Sequence, residues 1–245
     1  MLLLVSVRDV ADARAAVAGG ADIIDAKDPS RGALGAVSEA VLRAICLSVG
    51  TDRPLSAALG DAESPSQGAA MGLAMAGVGL AYGKVGFAGT AAPMSRTAVA
   101  RVLRAVQSAF ESGAGASTRV IAAAYADADQ VGAPRPQVVV EGAVEAGAAG
   151  VLLDTADKGG PGLFALWGAD EVSRWVERVR ASGLTAALAG KLTARDLPVA
   201  LATGADIVGV RGAACEGGRN GVVSVERTRL LVEGARGRIE LSAVQ

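Results

Sequence analysis

Short apolar runs alternate with longer amphipathic segments along the whole chain. The short runs are rich in Val, Ile, Leu and Ala, which is typical of strands buried on both faces. In the longer segments, apolar residues recur at the 3.6-residue period of a helix. The pattern predicts eight strands, at Leu2–Val7, Asp22–Ala26, Leu55–Leu59, Tyr82–Gly86, Arg119–Tyr125, Gly150–Asp154, Thr185–Ala189 and Asp206–Val210.

Helices are predicted between the strands, and several carry residues that commonly begin or end a helix. Asp9, Ser38 and Thr193 are suitable N-caps, and Gly19 and Gly204 are suitable stops. The clearest helical segments are Asp9–Ala18, Ser38–Val49, Arg96–Ser112, Glu171–Ala181 and Thr193–Thr203.

The repeated strand–helix order predicts an α/β fold with a parallel sheet. The phrases GGADIID, AGAAGVLLD and TGADIVGV each read as a helix stop, a turn and a buried strand. Such units are parallel and right-handed, and eight of them either close into a barrel or form an open sheet. No GxGxxG motif follows an early strand, and glycine-rich turns come late, after strands seven and eight. These points and the length of 245 residues favour a single (β/α)8 TIM barrel over residues 1–245.

Composition excludes several classes of partner. The net charge is −1, and the chain has only seven aromatic residues, so we expect no nucleic acid partner. The chain has no histidine, and Cys46 and Cys215 stand apart, so we expect no metal site and reduced thiols in a cytoplasmic protein. The uncharged stretch from Ser64 to Gly83 is glycine-rich and contains Pro65, which indicates a buried helix and the next strand rather than a membrane span.

Lysine is rare in this chain, and its placement is informative. There are 20 arginines and only 4 lysines, and all four lysines lie at or just past a predicted strand end. Arginine stays charged and cannot act as an amine nucleophile, whereas a suitably placed lysine can lose its proton. Any one of these lysines alone could be an ordinary surface cation. Four at one end of a barrel predict an amine-lined active site, formed by Lys27, Lys84, Lys158 and Lys191.

Carboxylates accompany the lysines. Asp25 precedes Lys27 by two residues, so both side chains should point into the barrel mouth, and Asp154 ends strand six. Each aspartate could instead cap loop amides. Neighbouring cations and burial both disfavour an ammonium, so we predict a depressed pKa for Lys27, which Asp25 opposes. A neutral amine attacks carbonyl carbons and forms an iminium that acidifies the adjacent C–H bond.

A phosphate site is predicted in the loops after strands seven and eight. The sequences AGK at residues 189–191 and GVRGAACEGGRNG at residues 209–221 offer glycine amides and the cations Lys191, Arg211 and Arg219. Barrels commonly bind phosphate there, although tight turns would need the same glycines. Tyr125, which ends strand five, is a further candidate substrate contact. The candidate substrate-binding residues are Gly190, Lys191, Gly209, Arg211, Gly212 and Tyr125.

Seven segments together resemble the (5-formylfuran-3-yl)methyl phosphate synthases of methanofuran biosynthesis. They are LLVSVRDVADA, GGADIIDAKDPSRGALGA, YGKVGF, AAYADA, LLDTADKGGPGLF, ALAGKL and DIVGVRGAACEGGRNG. The resemblance runs in order from residue 1 to about residue 225, and IIDAKDP, LDTADKGG and VGVRGAAC are its most specific parts. It implies a lyase that condenses two glyceraldehyde 3-phosphates into a furan aldehyde phosphate, with loss of one phosphate and two waters and no cofactor.

The resemblance also implies roles for individual residues. Lys27 would form the Schiff base and Lys84 would accept a proton, with Asp25, Asp154 and Lys158 as supporting acid–base or substrate-contacting residues. The chain departs from the family pattern at Arg31, where an acidic residue is expected before the glycine.

Two other functions share these features. One is a different Schiff-base aldolase acting on triose phosphates, and the other is a non-catalytic barrel that binds a phosphosugar. The missing glycine fingerprint disfavours a nucleotide-cofactor enzyme. Assembly into a homo-oligomer is also plausible for such alanine-rich helices.

Overall fold

Eight parallel strands close into a barrel in the computed structural model, which describes residues 1–113 and 117–238. Each strand pairs with its neighbours in sequence, and the last pairs with the first. The predicted (β/α)8 barrel is therefore confirmed. The strands are β1 (Leu2–Val7), β2 (Ile23–Ala26), β3 (Leu55–Asp61), β4 (Tyr82–Gly86), β5 (Arg119–Tyr125), β6 (Gly150–Asp154), β7 (Thr185–Leu188) and β8 (Ile207–Val210).

Helices connect the strands and surround the barrel. Asp9 and Ser38 cap helix N-termini, each accepting a hydrogen bond from a backbone amide as predicted. The helices are α1 (Val10–Ala18), α2 (Glu39–Val49), α3 (Pro65–Met75), α4 (Arg96–Ser112), α5 (Ala128–Val131), α6 (Pro136–Ala146), α7 (Leu163–Leu166), α8 (Ala169–Ala181), α9 (Leu197–Ala202) and α10 (Val225–Ala235).

The predicted helix Thr193–Thr203 is wrong in its first half. Thr193 does begin the segment, with a reciprocal capping box to Asp196, but residues Ala194–Asp196 form a 3-10 turn and α9 starts at Leu197. Pro198 has no N–H to donate to the carbonyl of Ala194, so a regular helix cannot run through this point.

The third strand is longer than predicted and contains an irregularity. Its register against β4 shifts between Ala58 and Gly60, and Gly60 has φ +112°, a conformation that favours glycine. The strand continues past this bulge to Asp61. The bulge therefore places a carboxylate, not an apolar residue, at the end of β3.

Small side chains leave space inside the barrel. Interior positions include Ala58, Ala123 and Ala187, together with larger residues such as Ile121 and Leu152. Barrels of this kind are usually filled by layers of bulky residues. The larger apolar core lies between the strands and the surrounding helices. Ala187 lines the cavity inside the barrel together with Ile121 and Leu152, and its small side chain leaves room for that cavity.

Two further observations complete the fold. The uncharged stretch around residues 64–83 forms α3 and the start of β4, and no helix in the described ranges has the length and apolarity needed to cross a membrane.

The loop after β8 contains an antiparallel pair, β9 (Cys215–Glu216) and β10 (Val222–Val223), which the sequence did not predict. This pair gives the glycine-rich loop a defined shape.

Candidate active site

All four lysines line one cavity of about 270 Å³. The cavity extends from residues at the start of strands, such as Tyr82 and Thr185, to the loops beyond their carboxyl ends. Its deep part is apolar, and its mouth carries the amines. The predicted convergence of Lys27, Lys84, Lys158 and Lys191 is confirmed.

Lys27 is a buried amine without a partner. It directly follows β2, its backbone amide donates to the carbonyl of Val7 at 2.9 Å, and its side chain enters the cavity. The residue is only 6% exposed, and Nζ makes no hydrogen bond to any residue that the structure describes. Burial lowers the pKa of Lys27 from 10.5 to about 7; Asp154 opposes this shift, and the charges of Lys84 and Lys158 add to it. A substantial fraction of Lys27 is therefore a free amine near neutral pH, as the sequence predicts.

Lys84 and Asp25 form a buried ion pair beside Lys27. Lys84 Nζ donates to Asp25 Oδ2 at 2.7 Å, and Ser6 Oγ donates to the same oxygen at 2.8 Å. Asp25 is fully buried, and its Oδ1 has no partner among the described residues. The pair is thus anchored on one carboxylate oxygen, while the other oxygen remains able to accept a proton.

Lys158 and Asp154 form a second pair at the end of β6. Lys158 Nζ donates to Asp154 Oδ1 at 2.6 Å and also contacts the carbonyl oxygen of Thr155. Burial raises the pKa of Asp154, but Lys158 and Lys27 outweigh this effect and leave the pKa below its usual value. Asp154 is therefore an anion at neutral pH.

The loop that carries Lys158 is held in place by Asp127. The two carboxylate oxygens of Asp127 accept from the backbone amides of Ala156 and Asp157, each at 2.8 Å. Asp127 is buried at the end of β5, two residues after Tyr125. Its strand-end position was visible in the sequence, but its partners were not, because they lie about 30 residues further along the chain.

The loops after β7 and β8 form the other side of the cavity mouth. Gly190 and Lys191 have φ of +105° and +56°, and Lys191 is the only non-glycine residue with positive φ that the described ranges contain. Lys191 Nζ contacts the carbonyl oxygen of Gly160 in the loop after β6. Gly209 and Gly212 also line the cavity. Four of the predicted phosphate-binding positions thus lie together, and the unusual backbone at Lys191 marks a constrained site.

Arg211 lines the cavity but has few donors left for a ligand. Its guanidinium donates to the Asp12 carboxylate at 2.6 Å and to the carbonyl oxygens of Ser6, Arg219 and Gly221 at 2.9–3.1 Å. These bonds use four of its five N–H groups. Arg211 therefore stabilises the loop after β8. The sequence analysis proposed a direct phosphate contact, for which only one N–H group of Arg211 is left.

Tyr125 does not line the cavity, contrary to the prediction of a substrate contact. Its hydroxyl donates to Asp61 Oδ1 at 2.6 Å, and Ala88 donates its amide to the same oxygen at 2.9 Å. Burial raises the pKa of Asp61, and burial together with Asp61 raises the pKa of Tyr125. The hydroxyl is held inside the protein because the bulge in β3 places Asp61 next to it.

The chain is similar over most of its length to one family of known proteins. Residues 3–231 match the family model described as 4-HFC-P synthase. A (5-formylfuran-3-yl)methyl phosphate synthase of Methanopyrus kandleri is 44% identical over 94% of this chain and 97% of its own, and one of Methanocaldococcus jannaschii is 39% identical over 95% and 99%. A putative one of Streptomyces griseus is 41% identical over 89% of this chain and 87% of its own.

Solved structures resemble the chain in fold. KGPDC from Streptococcus mutans has a TM-score of 0.66 at 14% identity, covering 98% of this chain and 99% of that one. Phosphoribosyl anthranilate isomerase from Thermus thermophilus has a TM-score of 0.57 at 17% identity, covering 97% and 99%. At these identities the likeness concerns the barrel alone.

Proposed function

The chain belongs to the 4-HFC-P synthase family, and from this premise we propose that it condenses two glyceraldehyde 3-phosphates into (5-formylfuran-3-yl)methyl phosphate. One phosphate and two waters are released, in a pathway to methanofuran or a related cofactor. The observation that carries the proposal is the buried Lys27 amine, which has a pKa of about 7 and no hydrogen-bond partner among the described residues.

The first step uses Lys27 as a nucleophile. Its neutral Nζ attacks the aldehyde carbon of one triose phosphate, and the carbonyl oxygen leaves as water to give an iminium. The Lys84–Asp25 pair then accepts the proton from C2, so that an enamine forms. Over the 2.7 Å contact between them, a proton can move between Lys84 Nζ and Asp25 Oδ2.

The carbon skeleton of the product dictates the following steps. The formyl carbon and two ring carbons come from the triose on Lys27, whose C3 must lose its phosphate before it can join the ring. The enamine electrons expel this phosphate and leave an enol with its double bond between C2 and C3. The second glyceraldehyde 3-phosphate becomes a ketone through an enediol, as acid–base groups of the site move its C2 proton to C1 and its O2 proton to O1. The enol carbon C3 then attacks the ketone carbon, whose oxygen becomes a hydroxyl. Cyclisation through a hydroxyl, loss of two waters and hydrolysis of the iminium give the aromatic furan and restore Lys27.

The remaining residues bind and position the substrates. The Lys158–Asp154 pair lies at the cavity wall, where an ammonium can protonate departing hydroxyl groups and a carboxylate can take protons. The retained phosphate belongs to the second triose, and Lys191 with the glycine-containing turn at Gly190 is suited to hold it. Arg211 supports this site through the shape of its loop.

Incubation with glyceraldehyde 3-phosphate, with and without borohydride, tests the proposal. Mass spectrometry should find a reduced adduct on Lys27 in the trapped sample, and the untrapped sample should accumulate the furan aldehyde phosphate with free phosphate. Lys27→Ala should lose both signals. A trapped Lys27 without furan would point to another Schiff-base aldolase, and binding without any adduct would point to a non-catalytic barrel.

A further inference from the structure

Arg219 is a cavity-lining cation on the loop between β9 and β10. Its Nη2 donates to the carbonyl oxygens of Pro29 at 3.2 Å and Gly32 at 2.9 Å. Both carbonyls belong to the turn that directly follows Lys27. The half-buried guanidinium is therefore fixed beside the turn that follows Lys27.

Three N–H groups of this guanidinium remain available to a ligand. Arginine has five N–H groups, of which Nη2 carries two. Nε and Nη1 of Arg219 carry the other three, and none of them has a hydrogen-bond partner within residues 1–113 and 117–238. Each of these charged N–H groups can donate a hydrogen bond to a phosphate oxygen.

The pairing of charges in the cavity singles out two cations. Lys84, Lys158 and Arg211 each form a salt bridge with a buried aspartate. Lys27 is uncharged in roughly half of the molecules at pH 7, because burial depresses its pKa to about 7, and in the proposed reaction its amine bonds the carbonyl carbon. Lys191 and Arg219 also line the cavity, and neither forms a salt bridge with any residue in the described part of the chain. Two positive charges thus remain without a carboxylate, which matches a reaction that brings in two phosphate groups.

These two cations lie at different parts of the cavity mouth. Lys191 follows β7 and reaches the loop after β6 at Gly160. Arg219 follows β8 and reaches the turn after β2. In the closed order of strands β7 and β8 are neighbours, but Lys191 reaches back towards β6, whereas Arg219 reaches past β1 towards β2. The cations therefore mark two separate anion subsites.

We propose that Arg219 binds the phosphate that leaves, which is the one carried by the triose bound to Lys27. The inference rests on the proposed function, since it assigns the two phosphates of that reaction to the two subsites. The leaving step breaks the bond between C3 and the phosphate oxygen, and that oxygen keeps the electron pair. A guanidinium on that phosphate stabilises the developing charge, while Lys191 holds the phosphate of the second triose.

Borohydride trapping of the Arg219→Met variant tests this assignment. With glyceraldehyde 3-phosphate, the wild-type adduct on Lys27 should largely have lost its phosphate. In Arg219→Met, most trapped adducts should retain it, because elimination is slowed by roughly 10- to 100-fold. Arg31→Met is the matched control, since Arg31 lies in the same turn but does not line the cavity, and it should behave as wild type.

Other outcomes separate this inference from its alternatives. If Arg219 only fixes the turn after Lys27, the variant should give less adduct with an unchanged phosphorylated fraction, and the proposal is overturned. If no adduct forms in any variant, the proposed reaction fails, and binding of glycerol 3-phosphate, which lacks the carbonyl, decides the subsite. The wild type and Lys27→Ala should then bind two molecules per chain and Arg219→Met only one; equal numbers in all three would contradict a subsite at Arg219.

Discussion

A buried basic side chain lies at the end of β2 and another at the end of β8, and the two differ in their hydrogen-bond partners. At the end of β8, Arg211 is surrounded by a carboxylate and three carbonyl oxygens. At the end of β2, Lys27 has no acceptor for its ammonium in the described structure. A buried charge that is fully paired stabilises one conformation, whereas a buried amine without partners is driven towards its neutral form. The comparison shows how one barrel mouth holds both a fully engaged guanidinium and an amine whose pKa is depressed to about 7.

Replacing Lys27 gives the largest expected effect. Lys27→Met should lower kcat/KM by about 10⁴-fold or more, because no other unpaired neutral amine is available to form the iminium. The same change should raise the free energy of unfolding at pH 6 by about 1 kcal/mol or more, since it removes a poorly solvated charge. Urea unfolding and steady-state kinetics measure both. A variant that is inactive and also less stable would contradict this account of Lys27.

The pH dependence of stability follows from the same depressed pKa. The unfolded chain binds more protons at Lys27 than the folded chain does between about pH 7 and 10.5. The contribution of Lys27 to wild-type stability should therefore become more favourable as pH rises through this range. The difference in stability between Lys27→Met and the wild type should shrink over that window.

Replacing Arg211 should reduce stability strongly but leave adduct formation on Lys27 intact. Arg211→Met removes the cation nearest to the buried Asp12 carboxylate and three bonds to carbonyl oxygens, so it should cost about 3–5 kcal/mol in the free energy of unfolding. Adduct formation on Lys27 should persist at temperatures where the variant is folded. Loss of the adduct in a fully folded Arg211→Met protein would mean that Arg211 is itself needed for adduct formation on Lys27.

Replacing Lys84 should separate proton transfer from covalent attachment. Lys84→Met should lower kcat by roughly 10²- to 10⁴-fold, because the iminium forms but the pair that accepts its C2 proton has lost the Lys84 amine. Borohydride should still trap the adduct on Lys27. An untrappable Lys84→Met variant that remains folded would show instead that Lys84 is needed for attack by Lys27.

The smallest effect is expected at Arg31, where the chain departs from the family pattern. Arg31 is exposed and donates to the carbonyl oxygen of Ala36 outside the cavity. Arg31→Glu should change the free energy of unfolding by less than about 0.5 kcal/mol and kcat/KM by less than about threefold. A larger loss of activity would mean that a residue outside the cavity lining contributes to the reaction.

The sequence predicted the parts of this site that depend on local pattern. Lys27, Lys84 and Lys158 could be found because strand ends can be read from apolar runs, and all parallel strands present their carboxyl ends at one mouth. The alternation of side chains along β2 likewise placed Asp25 and Lys27 on the same face.

The remaining parts depend on contacts between distant segments. Arg211 is paired with Asp12, which lies 199 residues away, so its structural use could not be read from the glycine-rich loop around it. Tyr125 was expected at the cavity, but the bulge in β3 turns Asp61 towards its hydroxyl. A one-residue irregularity of this kind leaves little signal in the hydrophobic pattern.

The pKa of Lys27 can be measured from its reactivity towards an amine-specific reagent, followed across pH by mass spectrometry. For the folded protein, the rate of labelling at Lys27 should rise with a midpoint near pH 7, and for the same residue in the urea-unfolded chain the midpoint should lie near 10.5. A midpoint near 10.5 in the folded protein would mean that Lys27 stays an ammonium at neutral pH, and the Schiff-base account would be contradicted.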